Sequence, residues 1–536
     1  MDGTNHFYRI SWVIAQLFYL CLWTHETHSY TLTSSPTHIA NEDQLPAFIQ
    51  RFERALREAF YEQADINQLS LQRGLPAAVW TRIMDEVPLS VAIPKTYGGR
   101  GSIVKECLAL LSAASYESLP LSLTFGINIA LFLEPVSKYA DEQVKAPIFD
   151  RFLTQQCMGG LMITEPDYGS DALNMRTSYR TVGDDYHITG TKHWQGLTGQ
   201  ADFWLVAARS QLANGELARD IDFFISDNAA PAQQIKVERL YNNLGLYMIP
   251  YGLNTVDIRV PGQQRLLPES TGIKMMLDIL HRSRMQFPGM GMGFIKRMLD
   301  EAITHCSQRM VGSSNLLALD SVQFQLSRIQ AAYTICSAMC HRSSHISGIE
   351  HNLALEGIEA NAMKALVTDL MQEAAQRCLQ VSGANGYKIS HIAGRGIVDS
   401  RPFQIFEGSN EMLYTQIAEM VLKKMRKGKE PNLAAFLATW ELTHEASVHV
   451  KDALDFVPGE GLMQRKLVDL GKIIARVITT GYVLDLANEG FRNDLVTGSI
   501  NHLRRDIAHL VSNLYLDNRV KVIDDYVSGS DWLSFT

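Results

Sequence analysis

The feature that most constrains this fold is a hydrophobic period that changes twice along the chain. From about 41 to 156 apolar residues recur at helical spacing, with Phe48, Phe52, Ala55, Leu56 and Phe60 separated by Arg51, Glu53 and Arg57, the mark of an amphipathic helix. A Pro94-Lys95-Thr96-Tyr97-Gly98-Gly99-Arg100-Gly101 stretch interrupts it as an ordered loop. Between about 157 and 268 the pattern shortens. Tyr186-His187-Ile188-Thr189 follows a Gly183-Asp184-Asp185 turn, and residues 203–208, 221–225 and 254–260 are short β-rich runs bounded by turn residues. The helical period then returns, and 297–310, 320–345, 353–382 and 411–426 are long enough to form an antiparallel bundle.

This order predicts an α+β protein. Residues 41–156 form an N-terminal helical domain, 157–268 a middle β-barrel or sandwich, and 269–428 a C-terminal four-helix bundle. An N-terminal extension (1–40) and a C-terminal helical extension (429–536) flank them. The basic run 423–431 complements the negative end of the last bundle helix and leads into the extension. Lys and Arg number 49 against 57 Asp and Glu, a net charge of −8 without long basic runs, which excludes a dedicated nucleic-acid binder. The seven cysteines include no CxxC pair, so a reduced, cytoplasmic thiol set is expected. One segment disturbs that reading. Residues 10–23 are apolar apart from Ser11 and Gln16, with Arg9 before them and no small-residue cleavage pattern after. They read as an interfacial or packed helix, or as an over-long gene start, ahead of a signal peptide, and leave weak membrane contact open.

No G-x-S-x-G elbow, Walker A lysine loop or H-E-x-x-H helix is present. His341 and His345 are spaced i,i+4 but lack a second ligand pair, so no metal site is expected. Gly289, Gly291 and Gly293 sit inside a helical stretch, where close helix packing explains them. Gly383-Ala384-Asn385-Gly386 follows a helix end and could also approach a phosphate through its N–H groups.

Two segments carry more chemistry. Thr164-Glu165-Pro166-Asp167-Tyr168-Gly169-Ser170-Asp171 gathers hydroxyls and backbone donors in a tight turn at the start of the β region, which suits the polar edge of a planar heterocycle. A polar loop with Asp171 capping its own turn explains it slightly better. In Phe403-Gln404-Ile405-Phe406-Glu407-Gly408-Ser409-Asn410 a carboxylate lies among apolar residues beside a glycine. Desolvation there would raise its pKa and make it a stronger base. A Glu favoured by the following helix dipole is the plainer alternative.

Taken in order, these segments resemble the acyl-CoA dehydrogenase family from about 40 to 424. The matching stretches are Pro94 to Gly99, Thr164 to Asp171, Gly183 to Tyr186 with Gly190 to Trp194, Arg297 to Ala302, Gly383 to Gly386 and Gln404 to Gly408. The resemblance implies an FAD enzyme that introduces an α,β double bond into an acyl thioester, on CoA or on a carrier protein. Glu407 would take the α-proton while the β-carbon gives a hydride to flavin N5. Thr164, Ser170 and Trp194 would contact the isoalloxazine, and Arg309 the FAD pyrophosphate. Gly383, Ala384 and Asn385 would reach FAD from a neighbouring subunit, implying a homodimer or homotetramer. Arg284 and Gly408 would contact substrate, and an electron-transfer flavoprotein or similar acceptor would take the electrons.

The chain departs from the family pattern at Met310 to Ser313, Asp320, Gln195-Gly196, His281 and Tyr414. These changes bear on the carrier contacts more than on the base, and Ser283 leaves Glu407 without a rival carboxylate. An oxidase or monooxygenase of the same fold and a non-catalytic paralogue are the competing readings. The extension 429–536 is expected to serve dimerisation or membrane contact.

Overall fold

A computed structural model describes residues 44–459, 461–516 and 521–535. The apolar run at 10–23 and the rest of the N-terminal extension lie outside the described residues.

The first layer is helical. Helix α1 (Leu45–Arg57) buries Phe48, Phe52, Ala55 and Leu56, the stripe that its sequence period predicts. Helices α2 (Ala77–Met84), α3 (Val104–Glu117), α4 (Leu119–Asn128), α5 (Glu134–Tyr139) and α6 (Glu142–Thr154) complete it. The stretch Leu119–Tyr139 is apolar enough to cross a membrane by composition, but it is enclosed within the protein core. In the loop before α3, a Cβ on Gly99 would lie 2.1 Å from the Ile93 carbonyl oxygen, so only glycine fits that approach.

The middle layer is one curled seven-stranded sheet. Its strands are β1 (Gly159–Met162), β2 (Ser178–Val182), β3 (Asp185–Gly196), β4 (Phe203–Ser210), β5 (Asp222–Asp227), β6 (Lys236–Leu240) and β7 (Tyr251–Pro261). The order is β1-β4-β2-β3-β7-β6, with β5 also on β4. Strand β4 is buried along most of its length, as suits a strand covered on both faces. The long β3–β7 ladder shifts register between His193 and Gln195. That β-bulge turns Trp194 out of the alternation.

The third layer is the bundle of α7 (Gly272–Gln308), α8 (Asp320–Ile346), α9 (Gly357–Ser382) and α11 (Asn410–Gly428), with the short α10 (Ile392–Ser400) between the last two. Helix α7 starts 25 residues before the segment that periodicity marked, because it is buried on nearly every side and so shows no polar face. Its Gly293 would place a Cβ 1.9 Å from the Ser112 carbonyl oxygen of α3, and its Gly291 one 2.3 Å from Val367 of α9. These glycines do allow close helix packing. The helix ends at Gln308, just short of the expected Met310, and residues 310–315 form a small hairpin around Gly312 at φ 61°.

The C-terminal extension contains α12 (Leu433–Thr439), α13 (Gln464–Asn488) and α14 (Asn493–Tyr515). Helix α13 packs on α8, α9 and α11 and so enlarges the bundle. Arg328 of α8 bridges Glu373 of α9 at 2.8 Å and Asp506 of α14 at 2.7 Å, tying the extension to two bundle helices.

Candidate active site

Glu407 sits in a turn between a 3₁₀ segment (Arg401–Gln404) and α11, whose N-cap Ser409 accepts a hydrogen bond from the Met412 N–H. The turn is left-handed twice over, with φ 52° at Glu407 and 93° at Gly408. A non-glycine residue held at positive φ costs roughly 1–3 kcal/mol unless its surroundings over-determine it. Here two buried cations do so. Arg284 of α7 donates from Nε (3.1 Å) and Nη2 (2.8 Å) to the Glu407 carbonyl oxygen. Lys364 of α9 donates from Nζ to the next carbonyl, Gly408, at 2.8 Å, and to Asn410 Oδ1 at 3.0 Å. Arg284 also donates from Nη1 to Asn361 Oδ1 of α9 at 2.7 Å, so two of its nitrogens hold the base-bearing turn and the third ties it to α9.

The carboxylate is held at one end only. Ser283 Oγ donates to Glu407 Oε1 at 3.0 Å, whereas Oε2 is buried without a hydrogen-bond partner. Part of the residue remains accessible, but that oxygen does not. Burial raises the Glu407 pKa above the ordinary carboxylate range, and Arg284, Ser283 and Lys364 partly oppose it. The Glu407 N–H meets no acceptor among the described residues. A proton acceptor and a free backbone donor therefore occur on one residue.

Near it, Tyr251 of β7 is half-buried, and desolvation, followed by the Glu407 charge, raises its hydroxyl pKa. Its ring centroid lies 6.1 Å from that of Trp194, which in turn lies 4.6 Å from that of Tyr241. Trp194, thrown outward by the bulge at φ 60°, is 51% exposed. The result is an aromatic platform at the end of the sheet nearest the base.

The loop from Thr164 to Ser170 is fixed by a buried ion pair. Lys192 Nζ of β3 contacts Glu165 Oε1 at 3.0 Å and the Ile163 carbonyl at 2.8 Å. Glu165 also accepts the Arg176 N–H at 2.6 Å and the Thr177 N–H at 2.9 Å. Burial pushes the Lys192 ammonium down to about 8. For Glu165 burial pulls upward, but Lys192 and these donors prevail and hold it below the ordinary range. The Thr164 carbonyl accepts the His193 N–H at 3.0 Å and Gln195 Nε2 at 3.1 Å. Gln195, a departure from the family pattern, thus pins the loop. Ser170 is exposed.

The remaining site residues lie elsewhere. Arg309 is exposed just beyond α7, and the exposed Gly383, Ala384 and Asn385 form the turn after α9, with Gly383 at φ 59°. Along α7, Arg284 and Gln308 are separated by about 36 Å at the usual rise per residue. Within one chain the structure therefore gathers Arg284, Glu407 and Gly408 at one place, with Thr164 and Trp194 on the sheet facing it, and leaves Arg309 and the Gly383 turn at the far end of the bundle. Lys364, Asn361, Asn410 and Tyr251 were not legible as site residues. The one signal was a lysine inside the apolar run Asn361-Ala362-Met363-Lys364-Ala365-Leu366-Val367. His341 and His345 lie with ring centroids 4.5 Å apart, and no metal-binding cluster occurs among the described residues. His281 is buried, its Nδ1 donating to the Leu353 carbonyl at 2.7 Å.

A helical layer, a curled sheet and a helical bundle are thus arranged about one clamped, desolvated carboxylate. Comparison with known proteins makes this specific. Residues 160–257 match the family description "Acyl-CoA dehydrogenase, middle domain" and 270–422 match "Acyl-CoA dehydrogenase, C-terminal domain". An acyl-CoA dehydrogenase of Bacillus subtilis is 25% identical over 341 residues, covering 62% of this chain and 86% of that protein. The human mitochondrial very long-chain specific acyl-CoA dehydrogenase is 22% identical over 409 residues, covering 73% of this chain but 60% of its own length. Among solved structures, an acyl-CoA dehydrogenase of Bacillus anthracis complexed with FAD superposes with a TM-score of 0.72 at 18% identity, covering 88% of each chain. Residues 160–257 and 270–422 are thus similar to the middle and C-terminal domains of the acyl-CoA dehydrogenase family, and the fold is one that its solved members share.

Proposed function

We propose that the protein is an FAD-dependent oxidoreductase acting on CH–CH groups, which removes the α- and β-hydrogens of an acyl thioester. The observation that carries this reading is the Glu407 carboxylate, fixed through Oε1 and its own backbone carbonyl while Oε2 is buried and unpartnered. A desolvated, unpartnered carboxylate oxygen gains most from receiving a proton.

The residues present fit FAD. Trp194 offers an exposed ring face, kept in a left-handed backbone conformation that costs energy unless something uses it. Thr164 and Ser170 lie in a loop locked by the Lys192–Glu165 pair, and they would hold the isoalloxazine edge. Arg309 and the turn of Gly383, Ala384 and Asn385 offer a charge and exposed backbone at the other end of the bundle, where they would hold the pyrophosphate of FAD bound to a second copy. The protein would thus act as a homo-oligomer, at least a dimer. Bound FAD supplies the acceptor for the hydride that leaves the β-carbon.

The rest is the work of this chain. Glu407 Oε2 takes the α-proton as the α C–H bond breaks, and the product is the trans-enoyl thioester. The Glu407 N–H, free of other acceptors, donates to the thioester oxygen as negative charge develops there. Arg284 and Lys364 fix the turn that carries both groups of Glu407. Gly408 lets the chain reverse beside the reacting carbons. The electrons then pass to a protein acceptor such as an electron-transfer flavoprotein.

The test is an anaerobic absorbance titration of the purified protein with acyl-CoA and acyl-carrier-protein thioesters. One of them bleaches the flavin band, and Glu407→Gln binds that thioester without bleaching. Full bleaching by the variant would remove Glu407 as the base, and a protein that purifies without flavin would refute the reading.

A further inference from the structure

The C-terminal extension reaches the base through side chains that the reaction itself does not use. Tyr414, one turn into α11 from Asn410, is fully buried between two neighbours. On one side its hydroxyl donates to Asp369 Oδ2 of α9 at 2.8 Å. On the other side α13 lies against its backbone. Gly471 of α13 comes so near that a Cβ there would sit 1.9 Å from the Tyr414 carbonyl oxygen. Lys472 Nζ lies 5.9 Å from the Tyr414 ring centroid, and the Arg476 charge acts on its hydroxyl.

From Asp369 the contacts continue to the turn. Asp369 Oδ1 accepts Asn410 Nδ2 and Gln404 Nε2, each at 2.7 Å. Asn410 Oδ1 accepts Lys364 Nζ, which holds the Gly408 carbonyl. A parallel contact runs from Arg284 through Asn361 to Gln416 of α11 at 3.1 Å. Every link is a hydrogen bond or a backbone contact between rigid helices, the kind of network through which a displacement is transmitted.

We propose that α13 is a positioning element of the active site, seating α11 through the Gly471–Tyr414 contact and, through Tyr414, Asp369 and Asn410, fixing the turn that presents Glu407. The proposal rests on Glu407 as the base only for its kinetic consequence. The placement of the turn stands on its own.

The experiment uses full-length holoenzyme carrying Tyr414→Phe, which removes one hydroxyl, or Gly471→Ala, which separates α13 from α11. A third variant, Val496→Ala, loosens the extension at α14 away from α11 and controls for general destabilisation. Amide hydrogen exchange of residues 404–413 is read by mass spectrometry, together with the rate of anaerobic flavin bleaching. Losing a hydrogen bond to a charged group corresponds to roughly tenfold or more in an equilibrium constant. Exchange across 404–413 is therefore expected to rise by about that factor in Tyr414→Phe and Gly471→Ala, with slower bleaching and unchanged thioester affinity. Val496→Ala is expected to leave that segment as in the wild type. Wild-type exchange in both test variants, or equal acceleration in Val496→Ala, overturns the proposal. Should no thioester bleach the wild type, the catalytic reading fails while the exchange result still decides this one.

Discussion

Replacing Lys364 by methionine separates the two effects of that residue on Glu407. The side chain keeps its length and apolar stem but loses the ammonium that holds the Gly408 carbonyl and Asn410 Oδ1. Among the groups opposing the burial of Glu407, Lys364 ranks behind Arg284 and the Ser283 hydroxyl. A nearby opposite charge favours the ionised carboxylate, and losing a hydrogen bond to a charged group costs about 1.5–3 kcal/mol. The sign follows directly. Lys364 favours the carboxylate, so its loss raises the Glu407 pKa further, and proton abstraction requires the carboxylate. The acid limb of the bleaching rate should therefore move to higher pH, with rate lost below the wild-type midpoint. The assay is anaerobic stopped-flow reduction by a saturating thioester from pH 5 to 9. The plateau at high pH reports the second effect, the positioning of the turn, and Lys364→Arg, which restores a donor, should recover more of the plateau than Lys364→Met. A limb that stays in place or moves to lower pH, with flavin content intact, would refute the electrostatic argument.

Lys192→Met strands the Glu165 carboxylate in a buried site. Breaking such a pair costs about 3–5 kcal/mol, so thermal unfolding should begin at much lower temperature and flavin retention should fall with it. Asp399 is buried and its carboxyl is pushed up to about 6 by burial, although it accepts the Leu246 N–H at 2.6 Å. With the folded pKa above the unfolded one, the folded state binds the extra proton, and stability from this group is lost as pH rises from about 4 to 6. Asp399→Asn keeps an acceptor for Leu246, so it should raise Tm at pH 7.5 and leave it nearly unchanged at pH 4. Gly408→Ala would put a Cβ 2.9 Å from Leu413 Cδ2 and 3.3 Å from Arg284 Nη2 at φ 93°. It should slow bleaching by tenfold or more, at a stability cost of about 1–3 kcal/mol measured by urea unfolding.

The sequence by itself determined the layer order, since periods of 3.6 and 2 are properties of local backbone geometry that amphipathic segments display directly. It also singled out Glu407 as a candidate base, from a carboxylate set among Ile405, Phe406 and Gly408 together with the family resemblance. What it could not display was α7 before Arg297. A helix buried on all sides has no polar face, so its period vanishes from the pattern although Gly289, Gly291 and Gly293 already pointed to close packing. Only the tertiary structure decided how Glu407 is held. Arg284, Asn361, Lys364 and Asp369 lie on two helices distant in sequence from the turn, and their roles depend on hydrogen bonds that exist only after those helices pack. Gln195 and Tyr414 show the same limit. Each departs from the family pattern in sequence, and each proves to be a structural contact, Gln195 on the Thr164 loop and Tyr414 between Asp369 and α13. Local periodicity survives in a one-dimensional sequence, whereas the environment that tunes a buried carboxylate is made of residues that meet only in three dimensions.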